Sequence, residues 1–210
     1  MKLTIEYSNN PISNQKLDAI ILFIFEDSGL KGSGLNSLPT SLKKNLNTSL
    51  KLKVFTGKKD YCQQLFSGHA NIPQILAVGV GKKSEMNSET LRRAAGKAGI
   101  MLTSLKAKKI GFAVTSHLQN TSETDVGQVI IEGLALGSYK FNQYKESHDE
   151  KSKLESIKIQ CCDPENITSR KALKTGKMRA DATNLARNLG NTPANDLKPK
   201  DLASAAENIA

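Results

Sequence analysis

Tryptophan is absent and aromatic residues make up only 5% of the 210 residues, so aliphatic side chains must fill the interior. No apolar run approaches the roughly 20 residues that a membrane-spanning helix requires. The densest one, "AIILFIF" at Ala19 to Phe25, sits between Asp18 and Glu26 and reads as a buried strand. The start, "MKLTIEYSNNPIS", has neither an apolar h-region nor a small-residue cleavage site, which predicts no secretory signal. Cysteine is scarce: Cys62, Cys161 and Cys162 are odd in number, lack metal-type spacing, and include an adjacent pair poorly placed for a simple bridge. That usage fits a reducing, cytoplasmic setting.

What is present describes an ordinary globular chain, with 38% hydrophobic and 24% charged residues in a length suited to one domain or one domain plus the edge of another. The formal net charge is +10. An excess of this sign can attract nucleic acid. The lysines are dispersed, however, in "GKKD", "GKKS" and "AKKI", without the interleaved aromatics that would stack bases. A solvated basic surface is the plainer reading, and a DNA- or nucleotide-binding module is the alternative.

Along the chain, "KLTIEY" alternates as a half-buried strand and "AIILFIF" follows as a strand covered on both faces. A short helix is predicted around Ser41 to Leu46, then an alternating segment "KLKVF". "QILAVGV" is a strand, and "NSETLRRAAGKAGIMLTSLKA" a helix that Asn87 or Ser88 can cap. "KIGFAV" is the next strand. Ser122 with Asp125 resembles a capping box opening the helix "TDVGQVIIEGLALGSYKF", where Gly133 and Gly137 would allow close approach to the sheet. "SIKIQC" is the last strand, closed by Pro164. This alternation predicts an α/β fold with a mixed sheet sandwiched between helices.

The helix at about Thr168 to Leu189 is of another kind. Arg170, Lys174, Lys177, Asp181, Asn184 and Asn188 fall on one narrow stripe that faces water or a partner, while Met178, Ala182, Leu185, Ala186 and Leu189 form an adjacent apolar face. Gly190 is expected to end it, "NTPAN" to turn, and Pro199 to open a helix that has no stop signal before Ala210.

No motif here makes a self-contained active site. "GVGKKS" at Gly79 to Ser84 invites a phosphate-loop reading, but Leu76 stands where a Walker loop needs glycine, so a tight turn is preferred. His69, His117 and His148 are mutually distant in sequence and lack partners at ligand spacing. "GSG" at Gly32 to Gly34 is a flexible loop, not a nucleophile elbow, and the pairs Glu26 with Asp27 and Asp149 with Glu150 belong to solvated loops.

Three blocks together resemble the leucyl (cytosol) aminopeptidases: "ILAVGVGKKSEMNSETLRRAAGKA", "EGLALGSYKFNQYK" and "NLARNLGNTPANDLKPKDLA". The resemblance implies a macro-domain-like amino-terminal α/β domain at 1–165, an interdomain linker helix at 166–190, and the truncated start of a catalytic domain at 191–210. It further implies a cytoplasmic hydrolase that removes N-terminal residues from peptides. Its two divalent cations, manganese or zinc, and its catalytic side chains are expected outside this stretch, so no catalytic, cofactor or metal residue and no bound cofactor is expected within it. The expected partners are its own catalytic domain and a homo-hexamer, with peptide substrate bound elsewhere, DNA as a further possibility, and no membrane. In some members carbonyls of the loop matching Leu189, Gly190 and Thr192 help hold an additional cation. Lys198 departs from the Thr or Ser that the family often places before Pro199. Losing that cap typically costs about 1 kcal/mol.

Overall fold

A computed structural model describes residues 2–30, 38–102, 104–105, 107–118, 124–144, 156–163 and 167–208. Its frame is one six-stranded sheet in the order β1-β6-β5-β2-β4-β3, comprising β1 (Lys2–Ser8), β2 (Ala19–Phe25), β3 (Cys62–His69), β4 (Ile72–Gly81), β5 (Lys109–Ala113) and β6 (Ser156–Cys162). Only the β3–β4 pairing is antiparallel, so the predicted mixed sheet is present. Every residue of β2 is buried, as a continuous apolar run between parallel neighbours requires.

Connection direction decides which face each helix covers. From β4 to β5 to β6 the chain steps toward β1, and right-handed crossovers put α2 (Ser88–Leu102) and α3 (Val126–Gly137) on one face. The steps from β1 to β2 and from β2 toward β4 run the other way, so the turn at Ile12–Asn14 and α1 (Thr40–Lys51) cover the opposite face. Two cores result. The larger joins Ile21, Phe23, Leu91, Ile130 and Leu173; the smaller joins Ile20, Leu22, Leu42, Leu46 and Phe55.

Several local expectations are corrected. "KLKVF" is not a strand: α1 continues to Lys51, Lys53 turns left-handed at φ 55°, and the N–H groups of Val54 and Phe55 return to the Ser49 carbonyl. Its alternation has no sheet to join, and Leu52 and Val54 stay exposed. The strand β3 carries too few strong β-formers in "CQQLFSGH" to stand out, and pairing with β4 creates it. No capping box opens α3; Asp125 is itself the cap, accepting from Gly127 N and Gln128 N at 2.9 and 3.3 Å. That helix stops at Gly137. Gly133 and Gly137 admit α2, not the sheet: a Cβ at Gly133 would strike the Arg92 carbonyl and one at Gly137 the Gly96 carbonyl. Ser122, Pro164, Gly32 to Gly34, His148, Asp149 and Glu150 lie outside the described residues.

Asn87 does cap α2, its Oδ1 accepting from Thr90 N at 2.9 Å. The last long helix, α4 (Arg170–Asn191), starts at Ser169, whose Oγ accepts from Ala172 N, and it runs through Gly190 to a C-cap at Thr192. Gly190 therefore does not end it. Nor is the predicted apolar face the buried one. Ala172, Leu173, Gly176 and Ala180 are buried, while Met178 is 65% exposed and Ala182 and Ala186 also face out. Small residues win the inner position because α4 packs close on α3. Beyond Pro193, whose carbonyl accepts from Asp196 N at 2.9 Å, α5 (Pro199–Glu207) follows and buries no residue.

Candidate functional site

The open side of the domain lies where α4 runs beside β1. Ser8 accepts from Asp163 N at 3.0 Å, so the two-residue repeat turns the main-chain groups of Thr4 and Glu6 toward β6 and those of Leu3, Ile5 and Tyr7 outward. The side chains of the latter three pack toward the helical face. Among the described residues, nothing pairs with the outer edge of β1.

Between that edge and α4 is a groove of about 640 Å³, lined by Leu3, Ile5, Tyr7, Leu173, Lys174 and Met178 among others. The Arg170 guanidinium lies 5.2 Å above the Tyr7 ring. Burial and then the neighbouring Asp163 carboxylate push the Tyr7 phenol above its ordinary pKa. Farther along α4, the Lys177–Asp181 ion pair at 2.5 Å leads into a polar pocket of about 310 Å³. Tyr139 closes it, donating to Asn188 Oδ1 at 2.9 Å and accepting from Asn191 Nδ2 at 3.1 Å. The stripe that the sequence marked on this helix thus lines one continuous trough. Sequence alone marks Leu3, Ile5 and Tyr7 as a half-buried strand but ties neither them nor Tyr139 to this trough, although a strand without proline at the start of the chain is a usable signal.

Other polar clusters serve the scaffold. Glu132, nearly buried on α3, receives Arg92 Nε at 2.9 Å and Gln128 Nε2 at 3.0 Å, with Arg179 3.5 Å away. It joins α2, α3 and α4. Asp163 is fully buried and accepts from Ile167 N and Thr168 N at 2.9 and 2.8 Å, which shapes the turn into α4. Thr168 Oγ1 in turn donates to Asp125.

The "GVGKKS" segment ends β4 at Gly81 and then turns into a short helical turn at Lys83–Glu85. Gly81 has φ 79°, and Lys83 N donates to Asp27 Oδ2 at 3.2 Å, so a carboxylate of the chain itself already meets that turn. Glu26 and Asp27 are exposed, as expected. His69 ends β3 and His117 lies in the turn Ser116–Leu118; each has a buried, unpartnered Nδ1. Cys161 and Cys162 are buried and Cys62 half-buried, all with free thiols.

With this geometry in hand, residues 21–148 match the family model described as "Cytosol aminopeptidase family, N-terminal domain". The chain belongs to that family. A probable cytosol aminopeptidase of Trichormus variabilis is 31% identical over 99% of the chain and 42% of its own length. One from Alkaliphilus oremlandii is 27% identical over the same shares. A tomato leucine aminopeptidase mutant superposes with TM-score 0.78 at 22% identity, covering all of this chain and 42% of that one, which supports the fold. This cytosol aminopeptidase domain therefore spans about two fifths of its relatives' length.

The described residues do not fit the metal ions that the family resemblance implies. Among the described residues no three His, Cys, Asp or Glu side chains gather to hold an ion. At the end of α4 the Leu189 carbonyl already accepts from Thr192 N at 3.3 Å, and Thr192 Oγ1 donates to Asn188 O at 2.7 Å. Leu189 and Gly190 remain within the helix, and as ligands they would offer neutral carbonyls alone. Among the described residues, no helix is long and apolar enough to cross a membrane.

Proposed function

We propose that this chain is the noncatalytic amino-terminal domain of a two-metal leucyl aminopeptidase that removes N-terminal residues from peptides, and that it contributes to hexamer assembly and active-site access. The manganese or zinc ions and the hydrolytic side chains belong, in this reading, to the part of the relatives that this chain does not span. The observation that carries it is the family match together with the outer flank of α4, where Ala182 and Ala186 stand exposed, and α5 beyond it, which buries no residue. Exposed apolar side chains on one helix flank favour packing against more protein. The linker role of α4 follows from the same flank, and the macro-domain-like character is supported by a mixed sheet between two helical layers. Three free thiols accord with a cytoplasmic setting.

The test is direct. The purified chain incubated with leucine p-nitroanilide and manganese should release no product above blank. Activity that co-elutes with the chain through two successive columns would overturn the noncatalytic reading.

A further inference from the structure

We infer that the free edge of β1 and the groove beside α4 form a docking site for an extended peptide that carries both apolar and acidic side chains on its groove-facing side and adds to the sheet as a further strand. This goes beyond the aminopeptidase reading and does not depend on it.

Three features lead there. The first is the edge itself. Leu3, Ile5 and Tyr7 each direct an N–H and a C=O outward, and β1 has no proline, bulge or outward lysine among these positions. Natural sheets usually blunt such edges. The other edge strand, β3, is treated differently: its register breaks between Phe66 and His69, Gly68 turns at φ 68°, and Asn45 Nδ2 reaches the Phe66 carbonyl at 3.5 Å. Among the described residues, one edge is interrupted and partly covered while the other is left straight and unpaired.

The second feature is the floor. Leu3, Ile5, Leu173 and Met178 give the groove apolar footing at a position where every second side chain of an added strand would point. The third is charge. Arg170 and Lys174 form no ion pair among the described residues, and Asp181, the acidic residue of the lining, is already held by Lys177. The rim is therefore left with net positive charge. A second copy of this chain would bring the same basic rim against itself, on a body of net charge +10, which argues against self-pairing. Main-chain pairing would supply affinity, and the alternating pockets and charges would supply selection.

The probe is a fluorescein-labelled peptide of about seven residues whose odd positions are in turn valine and glutamate, with serine at the even positions, a length matched to the span of β1. It is titrated into the 210-residue chain with anisotropy as readout. Saturable binding is expected, weakening with added salt. The same peptide N-methylated at alternate amides should bind about tenfold more weakly, since it keeps its side chains but loses strand pairing. A version with lysine for glutamate should fail to bind, and the double variant Arg170→Glu, Lys174→Glu, checked for an unchanged circular dichroism spectrum, should lose about tenfold for the acidic peptide. Equal binding of the methylated peptide, no saturation up to about 1 mM, or displacement of the probe by duplex DNA would each overturn the proposal. The methylated control alters no residue of the protein, so misfolding cannot mimic its result.

Discussion

Gly176 of α4 passes so close to Gln128 of α3 that a Cβ at Gly176 would lie 2.6 Å from the Gln128 carbonyl oxygen. The same closeness recurs one helix over, where a Cβ at Gly99 of α2 would lie 2.5 Å from the Leu134 carbonyl. Both neighbours are backbone, which cannot swing aside. The three helices of this layer are spaced by missing side chains.

Gly176→Ala should therefore destabilise the domain by about 1–3 kcal/mol, because overpacking outweighs the helix propensity that alanine adds. Gly190→Ala should do the reverse. Gly190 is helical and has nothing within 4 Å of its would-be Cβ, so alanine there should favour the helix by about 0.5–1 kcal/mol. Urea unfolding checks the first, and amide exchange near the end of α4 checks the second.

Glu132 holds Arg92 and Gln128 while its own side chain is only 7% exposed. Glu132→Ala should cost about 1–3 kcal/mol, since Gln128 and Arg92 lose a shared charged acceptor. Arg179 is mostly exposed and its share should be small. A double-mutant cycle between Glu132→Ala and Arg92→Ala should return a coupling that Arg179→Ala does not.

Burial pushes the Cys162 thiol from 9.0 up to about 12. Burial also raises Cys161, with Asp163 adding to it, and raises Cys62 to about 12. The native protein should react negligibly with a disulfide reagent at pH 8 and react fully once unfolded, as a thiol-release assay would show. The folded state keeps protons that the unfolded thiols release above pH 9, so stability is undiminished below that pH and falls as pH rises from about 9 toward 12. Cys162→Ala should flatten this decline by about 1.4 kcal/mol per pH unit.

Asp201 accepts from Lys198 N at 2.9 Å, while the lysine ammonium has no lone pair with which to cap the helix in return. Half of a capping box is therefore in place. Lys198→Ser should strengthen the start of α5 by about 0.5–1 kcal/mol, and Asp201→Ala should weaken it by a similar amount. Because α5 buries nothing, amide exchange at its first turn should register both changes, and the global urea midpoint should register neither.

Most of the frame was readable because its signals are local. The run Ala19–Phe25, the strands Ile72–Gly81 and Lys109–Ala113, and Pro199 at a helix start each announce themselves through apolar pattern or backbone chemistry. The misread places depend on neighbours. Leu52 and Val54 alternate like a strand but have no strand to meet, and Cys62–His69 lacks a strong pattern yet is recruited by β4. Of the candidate trough, the stripe on α4 was legible from helical periodicity, but not that Leu3, Ile5 and Tyr7 form its other wall. That wall is brought to α4 across most of the chain's length.

The sequence by itself determined the α/β alternation, the buried central strand and the charged stripe on the last long helix, because these follow from composition, period and short-range chemistry, and three blocks of it carried the likeness to the family. Tertiary structure decided which face of α4 is buried, what Gly133, Gly137 and Gly176 are for, and which edge of the sheet stays open. Those outcomes depend on close approach between segments far apart in the chain. A missing Cβ or an unpaired edge acquires meaning only once the element opposite it, or the absence of one, is fixed in space.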